Sequence, residues 1–140
     1  MQVVHSPRSM GDGVLVGRLD GQRLFFQDGV FQVRSRLTPQ DPMHPPLFMN
    51  RHKRYEVELR GNFHYVVEVD SPHFASCIRL EDRFNGLKTE NRFPINGQVS
   101  VDFIPQFTDT FVVIVTTVNP GFGEFTLTVR EANRLKPMGP

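Results

Sequence analysis

The residues that could carry chemistry are few and widely spaced in this sequence. The chain has one cysteine, Cys77, and the nearest histidines along the sequence are His64 and His73, both before it. A cysteine beside a histidine base can act as a nucleophile. No catalytic-cysteine context surrounds Cys77, however, and a cysteine in a strand pattern is usually a small packed residue. We therefore predict no catalytic residue and expect that the protein is not an enzyme.

Histidines and acidic residues give only weak metal signals. The five histidines do not have the local spacing of a zinc motif. They are His5, His44, His52, His64 and His73. Glu81, Asp82 and Glu90 bracket an Asn85-Gly86 turn and are weak calcium candidates, since calcium needs several oxygen ligands. Arg92 adds a positive charge beside them. We predict no metal and no cofactor.

The densest basic run, Arg51-His52-Lys53-Arg54, is a candidate partner surface. The alternative is a solvated strand entrance, and aromatic residues that could stack on bases are not interleaved with the run. Phe25 and Phe26 are a second candidate, because adjacent strand residues face opposite sides of a sheet. If one ring faces the core, the other faces away from it and must pack against something else, either the loop at 47–49 or another chain.

Composition and charge narrow the class of protein. The chain has 140 residues, 39% hydrophobic residues and a net charge of +1, which favours one soluble domain without a nucleic-acid footprint. No apolar stretch is long enough to span a bilayer, so we expect no membrane span. Residues 1–10 lack the apolar stretch of a signal peptide. A single cysteine excludes an internal disulfide framework.

Turn residues predict short strands in the N-terminal part. Asp20-Gly21 and Asp28-Gly29 separate three short apolar runs, which predicts two linked hairpins over 14–34. Proline is frequent in 38–50, which predicts an irregular loop.

A period of two is clear from Tyr55 onwards. It gives predicted inward sets at Tyr55, Val57 and Leu59; Tyr65, Val67 and Val69; Ser76, Ile78 and Leu80; Val99, Val101 and Phe103; and Phe125, Leu127 and Val129. Thr110 to Val118 is almost continuously apolar, as in a central strand covered on both faces. The pattern predicts an all-β fold, an antiparallel β-sandwich of jelly-roll-like form with an extra N-terminal hairpin region.

These patterns define one domain with a short extension at each end. We predict a flexible N-terminus at 1–12, a single β-sandwich domain at 13–132 and a frayed tail at 133–140. Within the domain, the predicted parts are N-terminal hairpins at 13–37, a Pro-rich loop at 38–53 and strands at 54–131.

The order of several motifs resembles a known family. The motifs are Arg36-Leu-Thr-Pro-Gln-Asp-Pro42, Tyr55-Glu-Val-Glu-Leu59, His64-Tyr-Val-Val-Glu-Val-Asp-Ser71, Ser71-Pro-His-Phe74, Ile78-Arg-Leu-Glu-Asp82, Asp109-Thr-Phe111, Asn119-Pro-Gly-Phe-Gly123 and Phe125-Thr-Leu-Thr-Val129. Together they resemble the bacterial pre-peptidase C-terminal (PPC) domain family, related in fold to collagenase collagen-binding domains. The resemblance implies a β-sandwich that serves as an accessory module beside a secreted peptidase, adhesin or other surface protein. It implies no catalysis, although some members bind calcium.

The sequence thus leaves two hypotheses for function. The first is a noncatalytic accessory or binding module that positions, stabilises or targets a neighbouring domain, or binds a protein or polysaccharide partner. The alternative is a self-associating structural protein, a homo-oligomer that pairs through its N-terminal hairpins, with Phe25, Phe26 and Phe31 packed between subunits. The resemblance implies an extracytoplasmic or secreted location, and no residue pattern identifies a ligand.

Overall fold

The computed structural model describes residues 29–42 and 51–132, together with the backbone of three short strands before residue 25. The eleven strands of this part are β1 (Gln2–Val3), β2 (Gly17–Leu19), β3 (Gln22–Leu24), β4 (Val30–Leu37), β5 (Lys53–Leu59), β6 (Tyr65–Asp70), β7 (Ser76–Asp82), β8 (Leu87–Asn91), β9 (Gln98–Phe103), β10 (Asp109–Thr117) and β11 (Gly123–Glu131). No helix occurs in the described ranges, which confirms the all-β prediction.

The strands form two antiparallel sheets that pack face to face. The first has the order β1-β4-β11-β6-β9 and the second the order β3-β2-β5-β10-β7-β8. From β4 onwards the chain crosses to the opposite sheet at every connection except the β7–β8 hairpin. The β-sandwich prediction is therefore confirmed, and the crossings place connections from both sheets at each end of the sandwich.

The core lies between the sheets and holds the residues that the period of two selects. Tyr55, Val57 and Leu59 from β5 meet Leu127 and Val129 from β11 in one buried cluster. Because alternate strand residues point to the same face, two or three side chains enter this layer from each of β4, β5, β6, β7, β9, β10 and β11. The inward sets predicted from Tyr55 to Val129 are confirmed as core, apart from Ser76, which is buried but outside the hydrophobic cluster, and Phe103, which is partly buried against it.

Strand β10 is the centre of the second sheet, between β5 and β7. Phe111, Val113 and Val115 belong to the main core, and Val112 and Ile114 on the other face of the strand are buried as well. The nearly continuous apolar run thus marks a strand that is covered on both faces, as predicted.

The N-terminal region differs from the sequence prediction in two respects. The hairpin across 20–21 forms between β2 and β3, but the one predicted across Asp28-Gly29 is wrong, because β3 and β4 lie in different sheets. Gln2–Val3, in the segment predicted to be flexible, pair as β1 with Val33 and Arg34. The rest of 1–12 and the tail at 133–140 lie outside the described residues.

Strand β4 joins the sandwich through a long-range pairing. It runs beside β11 over its whole length, from Val30 opposite Arg130 to Leu37 opposite Gly123. This pairing buries Phe31 completely in the core of its own chain. The part of the predicted hairpin region from Val30 onwards therefore belongs to the β-sandwich.

Candidate functional site

Large apolar side chains are exposed at the connections of the sandwich. Within the described ranges they are Phe63, Phe84, Leu87, Phe93, Ile95, Ile104, Phe107 and Phe122. Five of the eight come from one end of the molecule. Apolar side chains clustered on a protein surface usually mark an interaction site.

The strand register brings these five residues to the same end. Leu59 lies opposite Asp109, Phe111 opposite Asp82, and Tyr65 opposite Phe103, so the ends of β5, β7 and β9 coincide. We call this end the aromatic end. It consists of the β5–β6 turn with Phe63, the β7–β8 turn with Phe84 and Leu87, and the β9–β10 loop with Ile104 and Phe107.

Hydrogen bonds hold the β5–β6 turn against the β9–β10 loop. The backbone N–H of Asn62 donates to the carbonyl of Pro105 at 2.7 Å, and the N–H of Gly61 donates to Oγ1 of Thr108 at 2.9 Å. A Cβ atom at Gly61 would lie 2.9 Å from the Cα of Phe107. Glycine at this position therefore allows the two backbones to touch.

The β7–β8 turn is fixed by one carboxylate. Oδ1 of Asp82 accepts the backbone N–H groups of Phe84 and Gly86, each at 2.8 Å. Asn85 has a positive φ of 70°, which asparagine tolerates in tight turns. The N–H of Gly86, assisted by that of Phe84, lowers the pKa of the Asp82 carboxyl because both bonds favour its charged form.

Two phenylalanines of the aromatic end each lie beside an arginine. The guanidinium carbon of Arg83 is 4.8 Å from the ring centre of Phe84, and that of Arg60 is 5.9 Å from the ring centre of Phe63. Both distances fall within the range of a cation–π contact. Nε of Arg83 also lies 3.6 Å from Oδ1 of Asp109, which links the β7–β8 turn to the start of β10.

The aromatic end is thus a set of rigid turns that present apolar rings to solvent. Exposing a phenylalanine gives no packing energy to the fold, whereas the turns that carry Phe63, Phe84 and Phe107 are held by several hydrogen bonds. A preorganised apolar surface reduces the entropy lost when a partner is bound. The arrangement can bury apolar surface against a partner.

The predicted basic run lies at the beginning of β5, at the opposite end. His52 is buried, with a ring nitrogen 2.8 Å from the carbonyl of Pro42, and Lys53 forms a largely buried ion pair with Asp41 at 2.8 Å. A guanidinium nitrogen of Arg51 donates to the carbonyl of Asp41 at 3.0 Å. These contacts tie the Pro-rich loop to β5. Arg54 follows within β5, where it lies opposite Ile114. The structure therefore does not bring this run to the aromatic end.

The three calcium candidates do not point towards a shared site. Glu81 is buried and accepts a hydrogen bond from Arg79, and Glu90 lies between Arg79 and Arg92. Oδ1 of Asp82 is occupied by turn amides. No group of three or more candidate metal ligands occurs within the described ranges.

The fold buries Cys77 and places the two histidines at opposite ends of the sandwich. Cys77 is completely buried, and this burial raises the pKa of its thiol to about 12. His64 lies near the aromatic end, 3.0 Å from a carboxylate oxygen of Asp102, whereas His73 packs beside Gly123 at the opposite end. The thiol is therefore not exposed, and the two histidines do not lie together.

The surface predicted at Phe25 and Phe26 lies outside the described residues. Phe31 is a core residue and is not free to pack between subunits, which corrects that part of the self-association hypothesis. Phe63, Phe84 and Phe107 are not among the residues predicted to form a partner surface. Their signal is a phenylalanine inside a turn that otherwise holds glycine, asparagine or proline, where polar residues are usual.

Comparison with known proteins does not assign the chain to a family. No protein-family model matches it. A search of curated proteins finds no match either. The resemblance to pre-peptidase C-terminal domains therefore stays a prediction. In the described part of the chain, no helix has the length and apolar character needed to cross a bilayer.

Proposed function

We propose that this chain is a noncatalytic binding module, and that it docks a neighbouring domain or its parent protein onto a target through the aromatic end. The observation that carries this proposal is the exposure of five large apolar residues on braced turns at one end of a sandwich. The accessory role implied by the pre-peptidase resemblance agrees with this proposal.

The placement of the reactive residues supports a noncatalytic role. A buried thiol with a raised pKa is a poor nucleophile, because the thiolate is the reactive form. His64 is held near Asp102, and His73 lies at the other end of the sandwich. The candidate nucleophile Cys77 is thus buried, and the candidate bases His64 and His73 lie at opposite ends of the sandwich.

Photo-crosslinking tests the proposed surface. A benzophenone-bearing analogue of phenylalanine replaces Phe84 in one variant and Phe93 in another, since both rings are highly exposed but lie at opposite ends. We expect a recurrent adduct from position 84 in an extract of the source cells and none from position 93. Equal labelling from both positions would overturn the proposal.

Self-association stays the alternative prediction, and one observation favours it. Strand β3 is the outermost of the described strands in the second sheet, and an outermost strand can pair with another chain through its outer backbone edge. A crosslinked product with twice the mass of the chain, together with a dimer in sedimentation, would support this alternative.

A further inference from the structure

We propose that the target of the aromatic end is the surface of a phospholipid bilayer. In this arrangement Phe63, Phe84 and Phe107 enter the apolar layer, and Arg60 and Arg83 contact headgroup phosphates. The inference rests on the proposed function, because it names the partner of the same surface.

The shape of the aromatic end favours a fluid partner. Phe63, Phe84 and Phe107 lie on three different connections, and we call them the three apolar tips. A rigid protein partner would need a matching recess for each tip. Lipid chains close around each side chain without a preformed recess, and binding then grows with the apolar area buried.

Two of the rings are more exposed than the charged groups beside Arg83. Phe84 and Phe107 are each 76% exposed. The side chain of Arg83 is 57% exposed, and the carboxylates of Asp109 and Asp82 are 39% and 26% exposed. Around Arg83 the two rings are therefore more exposed than the cation and its two neighbouring acids, whereas Phe63 is 42% exposed and Asp102, on β9 at the same end, is 70% exposed.

The two arginines are placed to contact phosphate while the rings insert. Each guanidinium lies beside a phenylalanine ring, so Arg60 and Arg83 accompany Phe63 and Phe84 towards the bilayer. A guanidinium can donate two parallel hydrogen bonds to a phosphate. Its long apolar stem allows the charge to remain at the headgroup level.

Attraction to anionic lipid is expected to be weak, because charges at this end are largely balanced. Arg83 lies near Asp109, and Nζ of Lys88 lies 4.0 Å from a carboxylate oxygen of Asp82. The apolar tips therefore supply most of the binding, and uncharged phosphatidylcholine vesicles should suffice. Burying one phenylalanine changes a partition coefficient by roughly ten- to a hundredfold.

Single-tryptophan reporters test the insertion directly. The chain contains no tryptophan, so Phe107→Trp and Phe93→Trp each give one fluorophore. Phe93 is a matched control, 77% exposed at the opposite end of the sandwich. With phosphatidylcholine vesicles we expect a blue shift, and quenching by brominated lipid chains, for Phe107→Trp and neither for Phe93→Trp. No change at position 107, or equal changes at both positions, would overturn the inference.

Removal of the tips tests the same surface by flotation with vesicles. The variant Phe84→Ser/Phe107→Ser should lower the partition coefficient of the full chain by about a hundredfold or more, while Phe93→Ser retains it. Melting curves identify any variant that fails to fold, and the tryptophan reporters remain decisive in that case. Binding that requires anionic lipid would be electrostatic and would overturn the insertion.

The outcome for a protein partner is distinct. If position 107 gives no response to vesicles but the crosslinker at position 84 reaches a protein, the membrane inference is wrong and the proposed function stands. If neither experiment responds, both are wrong.

Discussion

The backbone N–H of Asn62 donates to the carbonyl of Pro105 at 2.7 Å, and this bond joins two connections that are 43 positions apart in the chain. It positions the turn carrying Phe63 beside the loop carrying Ile104 and Phe107. The contact depends on Gly61, whose backbone touches the same loop. The exposed rings are therefore fixed relative to one another by a long-range backbone contact.

Gly61→Ala should separate these two connections. The added methyl group would lie 2.9 Å from the Cα of Phe107 and 3.0 Å from the carbonyl oxygen of Gln106, and backbone atoms cannot yield as a flexible side chain can. We expect the free energy of unfolding to fall by about 1 to 3 kcal/mol, measured by urea denaturation. Ser100→Ala, at an exposed position in β9, is the control and should have little effect. Equal stability of both variants would show that the loop adapts.

Val113→Asp should destabilise the sandwich strongly. Val113 is completely buried between the sheets, so an aspartate there would be an unpaired buried charge. We expect a loss of about 4 kcal/mol or more in the free energy of unfolding. Val66→Asp is the matched control, because Val66 is partly exposed on β6. A similar melting temperature for wild type and Val113→Asp would contradict the assignment of this residue to the core.

The sequence predicts which residues form strands and which side chains face the core better than it predicts which strands pair. Tyr55, Val57 and Leu59 alternate with charged residues, and burial of one face is the physical cause of that alternation. Asp28-Gly29 carries the turn chemistry of a hairpin, yet the chain changes sheets there. Turn residues report local backbone conformation, whereas sheet membership depends on pairings such as β4 with β11, which are distant in sequence.

The candidate surface was harder to predict than the core. Phe84 and Phe107 lie in turns, where a period of two carries no information about burial. Only the three-dimensional register shows that their turns share one end of the sandwich. The basic run at Arg51 has the sequence pattern of an accessible surface. Its burial depends on the pairing of Lys53 with Asp41, a tertiary contact that a sequence pattern does not reveal.

The Cys77 thiol should be inert in the folded protein. Burial is the main cause that raises its pKa from 9.0 to about 12, with a smaller contribution from Glu90. This shift lowers the thiolate population at neutral pH by about three orders of magnitude. We expect no reaction with Ellman's reagent until denaturant is added, as measured by absorbance. Reaction of the folded protein at the rate of free cysteine would show that the thiol is accessible.

Calcium should not stabilise the fold. Glu81 and Glu90 face Arg79, and Asp82 already accepts two turn amides. A ligand at 100 times its dissociation constant would add about 2.7 kcal/mol, which raises the melting temperature of a domain of this size by roughly 5 to 15 °C. We expect identical melting curves in chelator and in millimolar calcium. A rise of that size, abolished by Asp82→Ala, would reveal a calcium site.

Asp82→Asn should make the β7–β8 hairpin less sensitive to acid. The N–H of Gly86, with that of Phe84, lowers the folded-state pKa of Asp82 below its unfolded value of about 3.9. The carboxylate therefore contributes stability fully above that unfolded value and loses the contribution as pH falls through the folded pKa. Wild type should melt at a higher temperature than Asp82→Asn near neutral pH, and the difference should shrink below about pH 4. Asp70→Asn is a control, because Asp70 lies at the opposite end of the sandwich and outside this turn. A difference between wild type and Asp82→Asn that stays constant across this range would mean that the two hydrogen bonds do not depend on the charge of Asp82.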